Sequence, residues 1–229
     1  ASMQTGTERK WDSLPHELFI GAESQAEARI RSLWDNDSIY FRFEVKDRQL
    51  NLSDNMHETD GVEVFISTVE PTSARKYNQY RLRVDAKGRV EKQYGSGARW
   101  IADDAVNTCG HVETGADGYT IVVAVPWQEI GGKPAGEELY CCYQLHNTDK
   151  TGGKTATVDE TLSGSDIDDA TTWMRMPLEK SPDTGTGIES VTVQEKENGD
   201  SRTYNIMGQE VDEHAKGIII SKGKKMLRK

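Results

Sequence analysis

Two short segments place opposite charges where they can meet. Glu63 lies within Val62-Glu63-Val64, and Arg81 within Tyr80-Arg81-Leu82. Side chains of a strand alternate between faces, so each charge points away from its apolar neighbours. Gln79 and Arg83 share the face of Arg81. If the two strands are neighbours, donor stands beside acceptor. Such a pair is either a plain cross-strand ion pair, worth under ~1 kcal/mol, or a matched donor and acceptor for the polar groups of a ligand. Catalysis finds little support. No G-x-S-x-G or H-E-x-x-H motif occurs. Asp60 and Glu63 stand three apart, so they leave opposite faces and cannot act as a carboxylate pair on one bond. The five histidines are scattered at 16, 57, 111, 146 and 214. His146 shares a strand face with Cys142 and Gln144, which reads as a satisfied polar position.

The elements that must carry these residues are strands. Ile39, Phe41, Phe43 and Val45 alternate with Tyr40, Arg42, Glu44 and Lys46. Val62, Val64 and Ile66, then Tyr80, Leu82 and Val84, repeat the pattern. Further strands are expected at 119–126 and 139–146. Turn residues separate them at Asp35–Ser38, Asp85–Gly88 and Ala116–Gly118. One short helical patch is expected around Pro126–Ile130. The segment 149–169 is rich in Thr, Gly and Asp and reads as a long loop with room for one short strand. The pattern predicts an all-β fold, a β-sandwich of mostly antiparallel strands. Val62, Val64, Ile66, Leu82, Val84, Ile121, Val123 and Val125 are its expected core.

The chain has 229 residues and a net charge of −10. An acidic surface repels phosphate backbones, so nucleic acid is not an expected partner. No apolar run approaches the ~20 residues of a membrane helix. The charge is uneven: residues 188–229 hold 8 basic and 7 acidic side chains, and residues 1–187 hold 20 and 31. A Gly/Pro/Thr stretch at 181–187 carries no core residue and reads as a linker. The expected organisation is a sandwich over 1–180, a linker over 181–187, and a small C-terminal β appendage over 188–229. Its strand candidates are 188–193, 202–207 and 217–221. Three cysteines cannot all pair within one chain, and Cys141 and Cys142 should face opposite sides of one strand. Ala1-Ser2-Met3 has no leader character and reads as the start of a piece of a longer chain.

The order of motifs carries a resemblance. Leu33-Trp34-Asp35 with Ile39-Tyr40, then Val45-Lys46-Asp47, then Asp60-Gly61-Val62-Glu63-Val64-Phe65-Ile66 resemble successive strands of family 9 carbohydrate-binding modules. Gln79-Tyr80-Arg81 and Gly118–Trp127 follow in the family's order, and Trp11 fits its N-terminal tryptophan. The resemblance spans roughly residues 8–180. It implies a noncatalytic β-sandwich that binds an oligosaccharide or polysaccharide on its concave sheet, as an accessory to an upstream catalytic domain. Sugars stack their C–H faces on aromatic rings and offer hydroxyls to charged or amide groups. By resemblance, Glu63 and Arg81 are the hydroxyl partners, with Gln79 and Arg83 beside them. His57 stands where the family has its first stacking tryptophan, and the second, expected near Ile167, is missing. Trp100 and Trp173 are the remaining aromatic candidates, with core packing the favoured role for both. No cofactor is required, although the resemblance allows a structural calcium at Asp35–Asp37 or at Asp166, Asp168 and Asp169.

The tail carries a second resemblance. Tyr204-Asn205-Ile206-Met207-Gly208-Gln209, Lys216-Gly217-Ile218 and Gly223-Lys224-Lys225 resemble the C-terminal sorting domain of secreted Bacteroidota proteins. This implies export to the medium or the cell surface. Two rival readings stay open: a structural or interaction sandwich that has lost its sugar site, and a haem-binding DOMON-type domain using Met56 or His57 with His146.

Overall fold

The computed structural model describes residues 11, 14, 17–22, 25–105, 107–151, 154–178, 203–205, 210–211, 217–221 and 224–228. Contacts divide the chain into two units, residues 1–179 and 180–229. The first is a sandwich of two antiparallel sheets. One sheet is built from β1 (Leu18–Gly21), β2 (Ala26–Trp34), β3 (Ser38–Asp47), β8 (Cys109–Gly115) and β9 (Gly118–Pro126), in the order β1-β2-β3-β9-β8. The other contains β4 (Gly61–Ser67), β5 (Gln79–Asp85), β6 (Val90–Ser96), β7 (Arg99–Asp103), β10 (Glu138–Thr151), β11 (Lys154–Thr161) and β12 (Met174–Pro177). Its order is β11-β10-β4-β5-β6-β7, and β12 pairs with the first part of β10.

The alternating segments form strands because each buries one apolar row between the sheets. All eight expected core residues are buried, together with Phe41, Phe43, Leu139, Tyr143 and Leu145. Phe41 and Phe43 meet Tyr143 edge-on at centroid distances of 5.9 and 6.0 Å. That is the favoured aromatic geometry across a sheet–sheet interface. The expected helical patch is a 3-10 turn at Trp127–Ile130, stopped by Gly131 at φ 83°. Cys141 lies in the main core and Cys142 in a separate cluster on the opposite face, as strand parity requires. Burial pushes both thiols up to about 12, so neither is a reactive thiolate at neutral pH.

Three segments depart from expectation. The segment 149–169 holds more strand than the single short one allowed for: β10 continues to Thr151 and β11 runs over Lys154–Thr161. The β-branched Thr155, Thr157 and Val158 favour that outcome. Strands β6 and β7 were not legible, because Lys92 occupies an inward position of β6. Its ammonium is buried against Asp103 at 3.0 Å and Glu129 at 3.7 Å. β8 carries no apolar alternation either, with Gly110 and Gly115 among mostly polar neighbours.

One end of the interior is polar. Asp60 accepts from the backbone N–H of Asn51 and of Thr148. Asp47 Oδ1 accepts from Gln49 N, and its carboxylate faces the Asp60 carboxyl, from which it accepts a hydrogen bond when Asp60 is protonated. Burial, reinforced by the neighbouring Asp47 carboxylate, pushes the Asp60 carboxyl up from 3.8 to about 7. Between those values the folded chain holds a proton that the unfolded chain has lost, so stability falls as pH rises through that window. Asp47→Asn removes the charge and offers Nδ2 as a donor in place of Oδ2. Urea unfolding should show it stabilised relative to wild type, and more so at pH 8 than at pH 5. An equal change at both pH values would show that the two carboxyls do not interact.

In the second unit, β13 (Thr203–Asn205), β14 (Glu210–Val211), β15 (Gly217–Ser221) and β16 (Lys224–Arg228) form an antiparallel sheet in the order β14-β13-β15-β16. The expected linker 181–187 and strand 188–193 lie outside the described residues.

Candidate functional site

The outward face of the seven-stranded sheet collects the charged residues singled out above. In register, Glu63 stands between Gln144 on β10 and Arg83 on β5, and Phe65 stands between Cys142 and Arg81. Glu63 is 1% exposed. Its Oε1 accepts from Arg81 Nη2 at 2.7 Å and Arg83 Nη1 at 2.8 Å, and its Oε2 from Arg81 Nε at 3.0 Å. The bidentate fork to Arg81 fixes that guanidinium in direction as well as position. Arg83 is buried deeper, with 4% of its side chain exposed, and its Nη2 donates to Met56 O at 3.1 Å and Thr59 O at 3.2 Å. Arg81 keeps 27% of its side chain open and donates from Nη1 to Gln93 Oε1 at 3.4 Å. Gln93 in turn donates to Glu91 Oε1 at 2.6 Å.

The short 3-10 turn Met56–Glu58 walls one side. Asn55 caps it by accepting from His57 N, and Arg83 holds its carbonyls. His146 Nε2 lies 3.0 Å from His57 O, a carbonyl that can only accept, so Nε2 carries a proton. Nδ1 meets Asp159, whose carboxyl is held below its ordinary value chiefly by this contact. Both ring nitrogens of His146 are therefore engaged. The pairing required by the haem-binding reading is not formed: His57 points its own ring at Glu91, 3.5 Å away, with 62% of its side chain exposed.

A second apolar cluster covers the other side. Phe65, Cys142, Ala170 and Trp173 are buried together, with Trp100, Tyr140 and Ile167 packed on them. Phe65 lies 5.9 Å from both Trp100 and Trp173. The Trp173 indole donates to Asp166 O at 2.9 Å, tying the segment 162–173 across the sheet. Lys76 reaches over the Trp100 ring at 5.8 Å and pairs with Asp168 at 2.8 Å. Its backbone runs so close over β6 that any side chain on Gly95 would meet Lys76 O at 2.2 Å. Gln79 is buried beneath that segment, donating to Arg75 O at 3.3 Å.

The structure thus brings Glu63, Arg81, Arg83 and His57 around one patch, with Trp100 beside it. Gln79 and Trp173 are buried next to it. Gln93, Glu91 and Asp159 join the patch without having been singled out. The first two lie on β6, hidden by its inward lysine, and the third lies in the segment read as loop. Phe65 did carry a signal: an aromatic on the outward parity of β4 has to be covered by something.

The expected calcium positions do not fit a cation cage. Asp35 Oδ1 accepts from Asp37 N and Ser38 N, and Oδ2 from the Tyr40 hydroxyl. Asp166 and Asp169 accept from Asp168 N and Thr171 N, and Asp168 takes Lys76. These carboxylates close turns and an ion pair. Calcium needs six to eight convergent oxygens.

A two-sheet sandwich with one polar face, on which carboxylate, guanidinium, amide and imidazole groups converge, defines a ligand-binding module. Its sequence matches the family described as carbohydrate family 9 binding domain-like over residues 7–181. The chain belongs to that family and is a noncatalytic carbohydrate-binding module. It is similar to endo-1,4-beta-xylanase A of Thermotoga neapolitana, 32% identical over 117 residues, which is 49% of this chain and 10% of that enzyme. A family 9 module of Caldicellulosiruptor kristjanssonii in complex with glucose superposes with a TM-score of 0.59 at 16% identity, covering 76% of this chain and 88% of the other. A family 9 module of that organism in complex with cellotriose gives 0.60 at 15% identity, with 76% and 87% covered.

Proposed function

We propose that the saccharide is held on the β4–β5–β6 face, with Arg81, Gln93 and Glu91 as hydroxyl partners and His57 and Trp100 as apolar walls. Glu63 and Arg83 form the layer beneath, holding Arg81 in place. Gln79 and Trp173 support that layer from the side. The observation that carries this reading is Arg81, partly open to solvent yet locked by a buried bidentate carboxylate. Neutral β-linked glucans and xylan fragments are the ligand class, supported by the glucose and cellotriose bound to the structural neighbours and by the xylanase relative. Calorimetry with glucose, cellotriose and xylotriose tests it. Arg81→Ala should weaken binding tenfold or more, the loss of about 1.5–3 kcal/mol of charge-assisted hydrogen bonding. Its fold should survive, because Glu63 keeps Arg83. Binding unchanged in Arg81→Ala would place the sugar elsewhere.

The module acts as an accessory that concentrates an attached catalytic domain on polysaccharide. The tail resemblance supports secretion or surface attachment through residues 188–229. Export of a reporter protein carrying that segment checks this, and retention inside the cell would remove it. A second reading, a sandwich that has lost its sugar site, is favoured by one observation: both Glu63 oxygens are already taken by arginines. Absence of binding to every saccharide would select it.

A further inference from the structure

The seven-stranded sheet ends at β7, and among the described residues β6 is its one sheet partner. β7 reads Arg99-Trp100-Ile101-Ala102-Asp103, exposed at every position but half-buried Trp100. An edge strand offers unpaired backbone donors and acceptors to another strand. Natural edges are guarded by short length, charged side chains, proline or a bulge; β7 is short and carries charges at its two ends, Arg99 and Asp103, with no proline or lysine between them. A two-residue turn joins β6 to β7, with Ser96 opposite Arg99 and Tyr94 opposite Ile101. In such a hairpin Arg99, Ile101 and Asp103 direct their N–H and C=O toward β6, while Trp100 and Ala102 direct theirs outward.

Two exposed apolar side chains accompany that edge. Tyr94 is 41% and Ile101 37% exposed. They face each other across β6 and β7 and extend the row begun by Tyr80. The row stops abruptly at the edge.

We infer that β7 pairs antiparallel with β7 of a second copy of this chain, about a two-fold axis through Ile101. The residue pairs would be Arg99 with Asp103 of the other copy, Trp100 with Ala102, and Ile101 with Ile101. Backbone parity allows only axes centred on a residue. A centre at Trp100 sets Arg99 against Ile101, and a centre at Ala102 sets Ile101 against Asp103. Only the centre at Ile101 matches charge with charge, twice by symmetry. It also places the outward groups of Trp100 and Ala102 opposite one another, as ladder hydrogen bonds require. The apolar row then runs unbroken as Tyr94, Ile101, Ile101, Tyr94. Asp103 is already within 3.0 Å of Lys92, so its carboxylate would bridge Lys92 and the incoming guanidinium.

Five residues per strand make a small contact, below the roughly 1,000 Å² of a stable interface, so the dimer is weak and forms at high concentration. An antiparallel pair has its two-fold axis perpendicular to the sheet, so the β4–β5–β6 faces of both copies point the same way. If those faces bind sugar, which rests on the function proposed above, two copies can grip one polysaccharide surface, and a weak dimer gains from high local concentration there.

Sedimentation equilibrium of the full chain, from micromolar to millimolar concentration, tests the pairing. Wild type should self-associate reversibly. Arg99→Asp sets a carboxylate against the Asp103 carboxylate on both sides of the axis and should weaken association at least tenfold. Arg99→Lys should stay within about threefold, because the charge remains. Ile101→Lys should abolish association through like charges at the axis. Calorimetry with glucose should be unchanged in Arg99→Asp, which separates this inference from the sugar-binding one. A chain that stays monomeric at millimolar concentration, or a dimer indifferent to Arg99→Asp and Ile101→Lys, would overturn it.

Discussion

Glu63→Ala should destabilise the sandwich by about 3–5 kcal/mol, the cost of leaving a buried partner charge uncompensated. The arginine left behind is the reason. Arg83 keeps its two backbone acceptors, Met56 O and Thr59 O, but loses the carboxylate that neutralises it. Arg81 loses both arms of its fork. Thermal unfolding should fall by roughly 6–20 °C, at 2–4 °C per kcal/mol for a domain of this size. Glu63→Gln keeps the shape and one acceptor, so its loss should be smaller. Denaturant titration decides. A change under about 1 kcal/mol would mean that water reaches Arg83, and that the turn at Met56–Glu58 opens readily.

The second large effect is expected at Trp173. Trp173→Ala should cost about 3–5 kcal/mol, the range for truncating a buried aromatic. The indole packs on Phe65 and Ala170 and anchors Asp166 through its N–H. Without it the segment 162–173 keeps Ala170, Ile167 and the Asp168–Lys76 pair but loses its large aromatic anchor on Phe65. Trp173→Phe keeps most of the packing and loses the hydrogen bond, so it should cost about 1–2 kcal/mol. Calorimetry on the same variants separates support from contact. A Trp173→Ala chain of unchanged stability that no longer binds sugar would make this residue a stacking platform instead.

Much of this module was legible in its sequence. Alternation placed Val62, Val64, Leu82 and Val84 inside and Glu63, Arg81 and Arg83 outside, because the parity of a strand is a property of the backbone alone. The same parity separated Cys141 from Cys142. The turn residues set the hairpins. The order of motifs along residues 8–180 carries the family's signature.

What the sequence left open was everything that depends on which strand lies across from which. Lys92 broke the alternation of β6, since its inward position is tolerable only with Asp103 across the hairpin and Glu129 brought in from a distant segment. Gln93 and Glu91 were lost to view with it. Arg83 and Arg81 are both outward residues of β5, yet one is buried and the other open. The difference is the turn at Met56–Glu58, which folds over Arg83 and not over Arg81. Trp173 became a strut because the segment 162–173 crosses the sheet onto Phe65. Local periodicity tells a side chain which face to take. Whether that face is covered is decided by long-range pairing and packing, where the entropy of closing a loop is offset by contacts that no neighbour in sequence supplies.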